Sequence, residues 1–335
     1  MSTTFQAFLL DERDDGDGLS GSVRPVSPDQ LPEADTTLQV LYSSINYKDA
    51  LAVTDSAPII RGDTPIAPGI DLVGRVEHTD SDRFQIGELV IGTGWGLGEN
   101  VWGGYTEVTH VDSEKLVSLP DGLSGLHAMA IGTAGFTAML AVMALEEHDV
   151  VPGTGEVLVT GASGGAGSMA VAILANLGFD VVASTGSEDA HDYLRDLGAS
   201  RIIHRDKLSG GPKRPMESGK WIGAIDAVGG DTLATIIAQL KRHASVASFG
   251  NAGGHELNTT VFPFILRGVN LLGVDSNTCP TPRRIVAWER LSGILSPEQI
   301  DKMVNSVVRL GGIQKAAEMI MDGGIRGRVV VRVSG

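Results

Sequence analysis

The chain has 335 residues, which is long for one ordinary α/β core and favours two domains. Its net charge of −15, from 41 acidic and 26 basic residues, repels nucleic acid backbones and anionic membranes. Neither a nucleic acid nor a membrane is therefore an expected partner.

Segments that would direct the chain to a membrane or hold a metal are not evident in the sequence. The N-terminus has no signal-peptide pattern, and we find no apolar run of the ~18 residues that a membrane span requires, so we expect a cytoplasmic protein. Cys279 is the only cysteine, which excludes an internal disulfide and every multi-cysteine zinc site. The eight histidines lack ligand spacing, so no bound metal is expected.

Short alternating strands separated by Gly and Pro predict a mostly β domain up to about residue 122. A long apolar helix is predicted next, from about His127 to Leu145. Its glycines at 132 and 135 weaken a free helix, so we expect another part of the protein to pack closely against it.

Residues 157–171 predict a buried strand, a glycine turn and the start of a helix. Ala162, Gly164 and Gly167 have the spacing of G-x-G-x-x-G, with alanine at the first position. A turn without bulky side chains lets a pyrophosphate reach the exposed N–H groups of the helix N-terminus. The stretch therefore predicts a dinucleotide site, with a plain glycine-rich loop as the alternative.

The next strand, residues 180–185, ends where NAD sites place an acidic residue on the ribose. Small residues, Ser184 to Ser187, occupy that position here and leave room for a 2′-phosphate. Arg201 could supply the cation for this phosphate from the following strand, or could be only an exposed charge at a strand end. NADPH is therefore favoured over NADH.

Six strands with intervening helices predict a doubly wound parallel sheet. They are expected at residues 156–160, 180–185, 201–204, 223–228, 245–249 and 270–274. Two amphipathic helices and a strand at 328–333 follow, and this tail could return to the first domain. The predicted domains are 125–276 for the nucleotide and 1–124 with 277–335 for catalysis.

The motifs, in this order, resemble the medium-chain dehydrogenase/reductase superfamily, and within it the zinc-free quinone oxidoreductase branch of the acrylyl-CoA reductase type. The segments that carry the resemblance are residues 44–50, 68–71, 94–100, 132–138, 160–165, 263–267 and 273–276. The resemblance covers nearly the full chain. It implies an α/β fold with a GroES-like β-rich catalytic domain and a Rossmann domain.

The resemblance also implies a set of cofactor-lining residues: Tyr47, Ser163, Gly164, Gly165, Ala166, Thr185, Gly186, Ser187, Arg201, Asn251, Ile265 and Ser276. Ser187 departs from the arginine that many relatives carry at this position. Tyr47 is the candidate proton donor or oxyanion support, with a buried packing tyrosine as the alternative. Asn46 could orient the substrate, whereas Asp49 is expected to be structural.

Where zinc relatives have a metal ligand, this chain has Ser44 and the Asn46-Tyr47 pair, which implies metal-free reduction of an activated C=C bond. The implied reaction is NADPH-dependent conversion of acrylyl-CoA to propionyl-CoA. Reduction of a quinone or enone, and a non-catalytic NADPH sensor, are the alternatives. The basic residues that could meet CoA phosphates are Arg61, Arg267, Arg283 and Arg284.

A homodimer is expected through the apolar strand at 270–274.

Overall fold

The computed structural model describes residues 4–13, 16 and 18–334. The chain forms two compact units. The first comprises Met1–Thr133, Asn277–Ser292 and Ile300–Gly335, and the second comprises Ala134–Ser276 and Gly293–Gln299. The units therefore divide at Thr133, nine residues after the sequence-based boundary at 124.

The N-terminal part is rich in strands. Its elements are β1 (Phe5–Glu12), β2 (Leu19–Val26), β3 (Thr36–Ile45), α1 (Tyr47–Val53), β4 (Asp71–Thr79), β5 (Leu89–Thr93), β6 (Val108–Val111), β7 (Leu116–Ser118) and α2 (Gly125–Glu146).

Strands and helices alternate in the central part. Its elements are β8 (Glu156–Val159), α3 (Gly165–Asn176), β9 (Asp180–Thr185), α4 (His191–Asp196), β10 (Arg201–His204), β11 (Trp221–Asp226), α5 (Gly230–Gln239), β12 (Leu240–Ser248), α6 (Phe262–Arg267) and β13 (Asn270–Gly273). The C-terminal part contains α7 (Thr281–Ile294), α8 (Pro297–Met303), β14 (Val304–Val308), α9 (Ile313–Met321) and β15 (Arg328–Arg332).

The first unit contains a seven-stranded sheet and the β1–β2 hairpin. The sheet has the order β14-β15-β3-β4-β5-β7, and β6 also pairs with β3. The C-terminal strand β15 runs antiparallel to β3, with Val329 opposite Ile45. The tail therefore returns to the first unit, and it places Arg328 beside the end of β3, where α1 begins.

The second unit contains a six-stranded sheet in the order β10-β9-β8-β11-β12-β13. All neighbouring strands are parallel, so the carboxyl ends of the strands lie at one edge. The strand order reverses beside β8, and ligands bind at such a switch point. The predicted doubly wound parallel sheet is confirmed.

Helix α2 corrects one expectation from the sequence. This helix has 22 residues and is long and apolar enough, by length and composition, to cross a membrane. The expectation that the chain has no apolar run of this length was therefore wrong. In the most apolar window 89% of the residues are buried in the protein, as in the core helix of a globular fold. The helix is interrupted at Gly132, whose φ of 49° and ψ of −159° are not helical.

The predicted close packing against this helix is present at Gly132. A Cβ at this position would collide with Asp71 Oδ2 and lie 2.8 Å from Arg328 Nη2. Glycine is therefore required at this position for two reasons: the backbone has a positive φ, and the two side chains approach too closely for a Cβ.

Candidate active site

The turn between β8 and α3 has the geometry of a phosphate-binding turn. Gly161 has a positive φ of 58°, and a Cβ on Gly167 would collide with the Gly161 carbonyl oxygen. Gly164 is the N-cap of α3 and has no side chain to cover the first N–H groups of the helix. The turn, including Ser163, Gly165 and Ala166, fits a dinucleotide pyrophosphate.

The end of β9 lies beside this turn. Ser163 Oγ and Thr185 Oγ1 are 3.1 Å apart, and the backbone N–H of Ser187 donates to Thr185 Oγ1 at 3.1 Å. The structure therefore brings together the predicted turn and the predicted ribose-side residues Thr185, Gly186 and Ser187.

Arg201 does not lie near these residues, which corrects its predicted role. It is the first residue of β10, and its guanidinium binds the Glu156 carboxylate through three bonds of 2.7–2.9 Å. The guanidinium also lies 5.7 Å from the centre of the Trp221 ring. Because carboxyl ends of parallel strands form the ligand edge, the start of β10 is at the opposite edge.

Arg205 takes the place expected for Arg201. It directly follows β10, whose last residue His204 pairs with Thr185. A Cβ on Gly186 would lie 2.5 Å from Arg205 Nε, so the arginine side chain crosses this glycine. Arg205 is exposed, and no ion pair between described residues engages its guanidinium. Its position just after a strand was the signal that sequence reasoning missed.

The other predicted cofactor residues lie elsewhere in or next to the second unit's sheet. Asn251 is in the loop after β12, where its carbonyl accepts from Gly254 N at 3.0 Å. Ile265 is on α6 with 67% of its surface exposed, and Ser276 follows β13. Their contacts with a cofactor stay predictions.

Tyr47 is the first residue of α1, and it is 58% exposed. The alternative of a buried packing tyrosine is therefore wrong. The neighbouring Lys48 donates to Glu99 Oε1 at 2.9 Å, and the Glu99 side chain is only 5% exposed. The Lys48 ammonium therefore forms an ion pair with a buried carboxylate, whereas the Tyr47 side chain is exposed to solvent.

A buried polar cluster lies behind Tyr47, and we define it as Ser44, Asn46, Asp49, Asp71 and Arg328. Asp71 Oδ2 accepts from Ser44 Oγ at 2.6 Å and from Asn46 Nδ2 at 2.8 Å. Arg328 donates to Ser44 Oγ at 2.8 Å and to Asn46 Oδ1 at 3.1 Å. Both ends of the Asn46 amide are therefore occupied, which argues against its predicted role in orienting the substrate.

Asp49 completes the polar cluster and is structural, as the sequence predicted. Its Oδ2 accepts from Asn46 N at 2.8 Å, and its Oδ1 accepts from Ile70 N at 2.9 Å. Burial, together with the nearby Asp71 carboxylate, raises the pKa of Asp49 to about 7. Neither Asp71 nor Arg328 was proposed from the sequence as part of the site, because burial of a charged residue has no pattern of its own.

Two of the four arginines proposed for CoA phosphates have structural contacts instead. The buried Arg284 donates to the carbonyl of Thr93 at 2.7 Å and to its hydroxyl at 2.6 Å. Arg267 donates to the carbonyls of Ala238, Leu240 and Glu217 near the end of α5. Arg61 is exposed and Arg283 is half-buried, so these two stay candidates for contact with the substrate.

The donor groups of the first unit do not fit zinc. Among residues 4–13, 16 and 18–334, no three His, Cys, Asp or Glu side chains are grouped so that they could hold a metal ion. Asp49 and Asp71 are two buried carboxylates, but they share the polar cluster with the Arg328 cation, which would repel a second cation.

Two family models match separate parts of the chain. The model of the alcohol dehydrogenase GroES-like domain matches residues 32–121, and that of the zinc-binding dehydrogenase matches residues 165–292. Acrylyl-CoA reductase AcuI of Ruegeria pomeroyi is 46% identical over 98% of this chain and 99% of its own length. The chain belongs to the acrylyl-CoA reductase AcuI family.

Two further relatives agree with this membership. The probable acrylyl-CoA reductase AcuI of Escherichia coli is 49% identical over 98% of this chain and 100% of its own length. The crystal structure of the yhdH oxidoreductase from Salmonella enterica in complex with NADP has a TM-score of 0.95 and 47% identity, and covers 98% of this chain and 100% of that one. The predicted family and fold class are confirmed.

Proposed function

We propose that this chain is an NADPH-dependent oxidoreductase that reduces the C=C bond of acrylyl-CoA to give propionyl-CoA. The observation that carries the proposal is the nearly full-length similarity, above 45% identity, to two proteins named as AcuI reductases. The two features of the structure that support it are a phosphate-binding turn and an exposed phenol on α1.

The dinucleotide is held by the second unit in this proposal. The turn at residues 161–167 binds the pyrophosphate through N–H groups at the start of α3. Thr185 and Ser187 supply hydroxyls for the 2′-phosphate, and Arg205 supplies the cation. No acidic residue stands between Ser184 and Ser187, so nothing in this segment repels a phosphate. Asn251, Ile265 and Ser276 complete the proposed cofactor surface.

NADPH supplies the hydride, which adds to the β-carbon of the acrylyl group. Negative charge then develops on the thioester oxygen as an enolate, and the α-carbon takes up a proton. Tyr47 carries the exposed hydroxyl that can donate a hydrogen bond to this oxygen or a proton to the α-carbon. Arg61 and Arg283 are the proposed contacts for the CoA phosphates.

We also propose a two-fold homodimer in the cytoplasm. Strand β13 lies at the edge of the six-stranded sheet, so one side of its backbone has no partner strand in the described chain. Leu271 on this strand is 38% exposed, and Val261, Phe262 and Leu266 nearby in sequence are 46–64% exposed. Open apolar edges of this kind associate unless they are covered, and pairing with a second copy covers both.

The role of Tyr47 is tested by Tyr47→Phe, with Tyr42→Phe as the control that removes a phenolic hydroxyl from β3 instead. We expect kcat with acrylyl-CoA to fall by ~10²-fold in Tyr47→Phe, within the range of one general acid or oxyanion donor, and to be unchanged in Tyr42→Phe. The Kd for NADPH, measured by fluorescence titration, should not move. A wild-type kcat in Tyr47→Phe would show that protonation and enolate stabilisation come from another group.

A further inference from the structure

Asn46 belongs to the polar cluster and directly precedes Tyr47 in the chain. It is the N-cap of α1, and its backbone angles, φ −98° and ψ 166°, set the direction in which the chain enters the helix at Tyr47. Its backbone N–H donates to Asp49 Oδ2 at 2.8 Å, and its side-chain amide donates to Asp71 Oδ2 at 2.8 Å. The side-chain oxygen accepts from Arg328 Nη1 at 3.1 Å.

Arg328 connects this N-cap to three separate elements. From its position at the start of β15, its Nε donates to the carbonyl of Ala130 in α2 at 2.9 Å. Its Nη2 donates to Ser44 Oγ on β3 at 2.8 Å and lies 3.8 Å from Asp71 Oδ2 on β4. Asp71 in turn accepts from the backbone N–H of Thr133 at 2.9 Å and from its hydroxyl at 2.5 Å, so three hydrogen bonds join α2 to Arg328 and Asp71.

Stability alone does not account for such a cluster. Removing charges from water costs several kcal/mol for each ion, and well-packed apolar residues of similar volume are often as stabilising. The polar cluster instead holds its side chains and the adjoining backbone in one arrangement, because each hydrogen bond fixes both a distance and a direction. Tyr47 is the next residue in the chain and is 58% exposed, so a fixed N-cap fixes the start of the helix that carries this side chain.

We propose that Asn46 and Arg328 are positioning residues that hold the first turn of α1 so that the Tyr47 hydroxyl meets the developing enolate oxygen. The inference rests on the proposed role of Tyr47 in acrylyl-CoA reduction. It gives Asn46 a part in catalysis different from direct contact with the substrate. A displacement of about 1 Å at a reacting group can cost ~10²-fold in rate, so loosening the N-cap should be visible in kcat.

The test is a double-mutant cycle with Asn46→Ala and Tyr47→Phe, measured as kcat for acrylyl-CoA reduction. We expect Asn46→Ala to lower kcat by at least ~10-fold in the wild-type background, and by less than ~2-fold in the Tyr47→Phe background. Ser43→Ala is the matched control. It removes a buried hydroxyl that donates to the Asp71 carbonyl at 2.6 Å but leaves the N-cap of α1 untouched, so its kcat should equal wild type.

Several results would overturn the inference. Equal fold-losses from Asn46→Ala in both backgrounds would mean that the polar cluster acts independently of Tyr47, and an unchanged kcat in Asn46→Ala would mean that the N-cap is not needed. A wild-type rate in Tyr47→Phe alone would refute the role of Tyr47 and this inference with it, and that single variant separates the two failures. If Asn46→Ala does not fold, Ser44→Ala replaces it with the same expectation in both backgrounds, since it removes a hydroxyl that bonds to Arg328, Asp71 and Asn46 but keeps the Asn46 side chain.

Discussion

Replacing Arg205 by Ala should weaken binding of NADPH and leave binding of NADH unchanged. The Arg205 side chain crosses Gly186, between the two hydroxyl residues proposed to bind the 2′-phosphate. A hydrogen bond to a charged group contributes about 1.5–3 kcal/mol, so the Kd for NADPH should rise by about 10- to 150-fold. NADH has no 2′-phosphate, and its Kd should change by less than ~2-fold.

The assay is fluorescence titration of both cofactors with wild type, Arg205→Ala and Arg201→Ala. Arg201 is the matched control, since it is the first residue of β10, whereas Arg205 follows the last residue of this strand, roughly 13 Å away at about 3.3 Å per residue. Its guanidinium binds Glu156, so Arg201→Ala should alter neither affinity. Equal losses for NADPH and NADH in Arg205→Ala, or a selective loss of NADPH affinity in Arg201→Ala, would refute the reasoning.

Three further predictions concern the polar cluster, the glycine turn and assembly. Burial and Asp71 raise the native pKa of Asp49 to about 7, whereas in the unfolded chain this pKa is ~3.9. The proton on Asp49 therefore contributes its whole share of the free energy of unfolding below pH ~3.9, and this contribution is lost as the pH rises through 7. From pH 5 to pH 7 the free energy of unfolding of wild type should therefore fall by about 2 kcal/mol relative to Asp49→Asn in urea titrations, and parallel profiles would refute this. Gly167→Ala should lower NADPH affinity at least ~10-fold, because the added Cβ forces the turn open. Gly293→Ala is the control, since its Cβ would enter open space, and it should bind NADPH normally. Equal affinities of the two variants would contradict the fit of the turn. Light scattering should give twice the chain mass for wild type and the single-chain mass for Leu271→Lys, and a monomeric wild type would exclude the proposed dimer.

The second unit was largely predictable from the sequence. Apolar strand segments recur there at regular intervals, and a glycine turn follows the first of them, so both the doubly wound parallel sheet and the phosphate turn follow from local patterns. The cation beside Gly186 was misassigned, because one strand carries Arg201 at its start and Arg205 just past its end. Only the strand direction and the register of His204 with Thr185 decide between them.

The polar cluster in the first unit was less accessible to sequence reasoning. Its members come from β3, α1, β4 and β15, and Asn46 and Arg328 are 282 residues apart. A charged residue at the start of the last strand looks the same in sequence whether it is exposed or buried. The sequence predicted α2 as a long apolar helix, but the length of its apolar stretch was underestimated.

The most direct test of the proposed function follows deuterium from NADPH deuterated at the transferable C4 position into the product. Purified wild type is mixed with this cofactor and acrylyl-CoA, and in parallel with a quinone, and the acyl-CoA products are analysed by mass spectrometry. We predict propionyl-CoA with one deuterium on the β-carbon, formed at the rate of NADPH oxidation. Rapid NADPH oxidation by the quinone with no propionyl-CoA would contradict the substrate assignment, and bound NADPH that neither substrate oxidises would indicate a non-catalytic sensor.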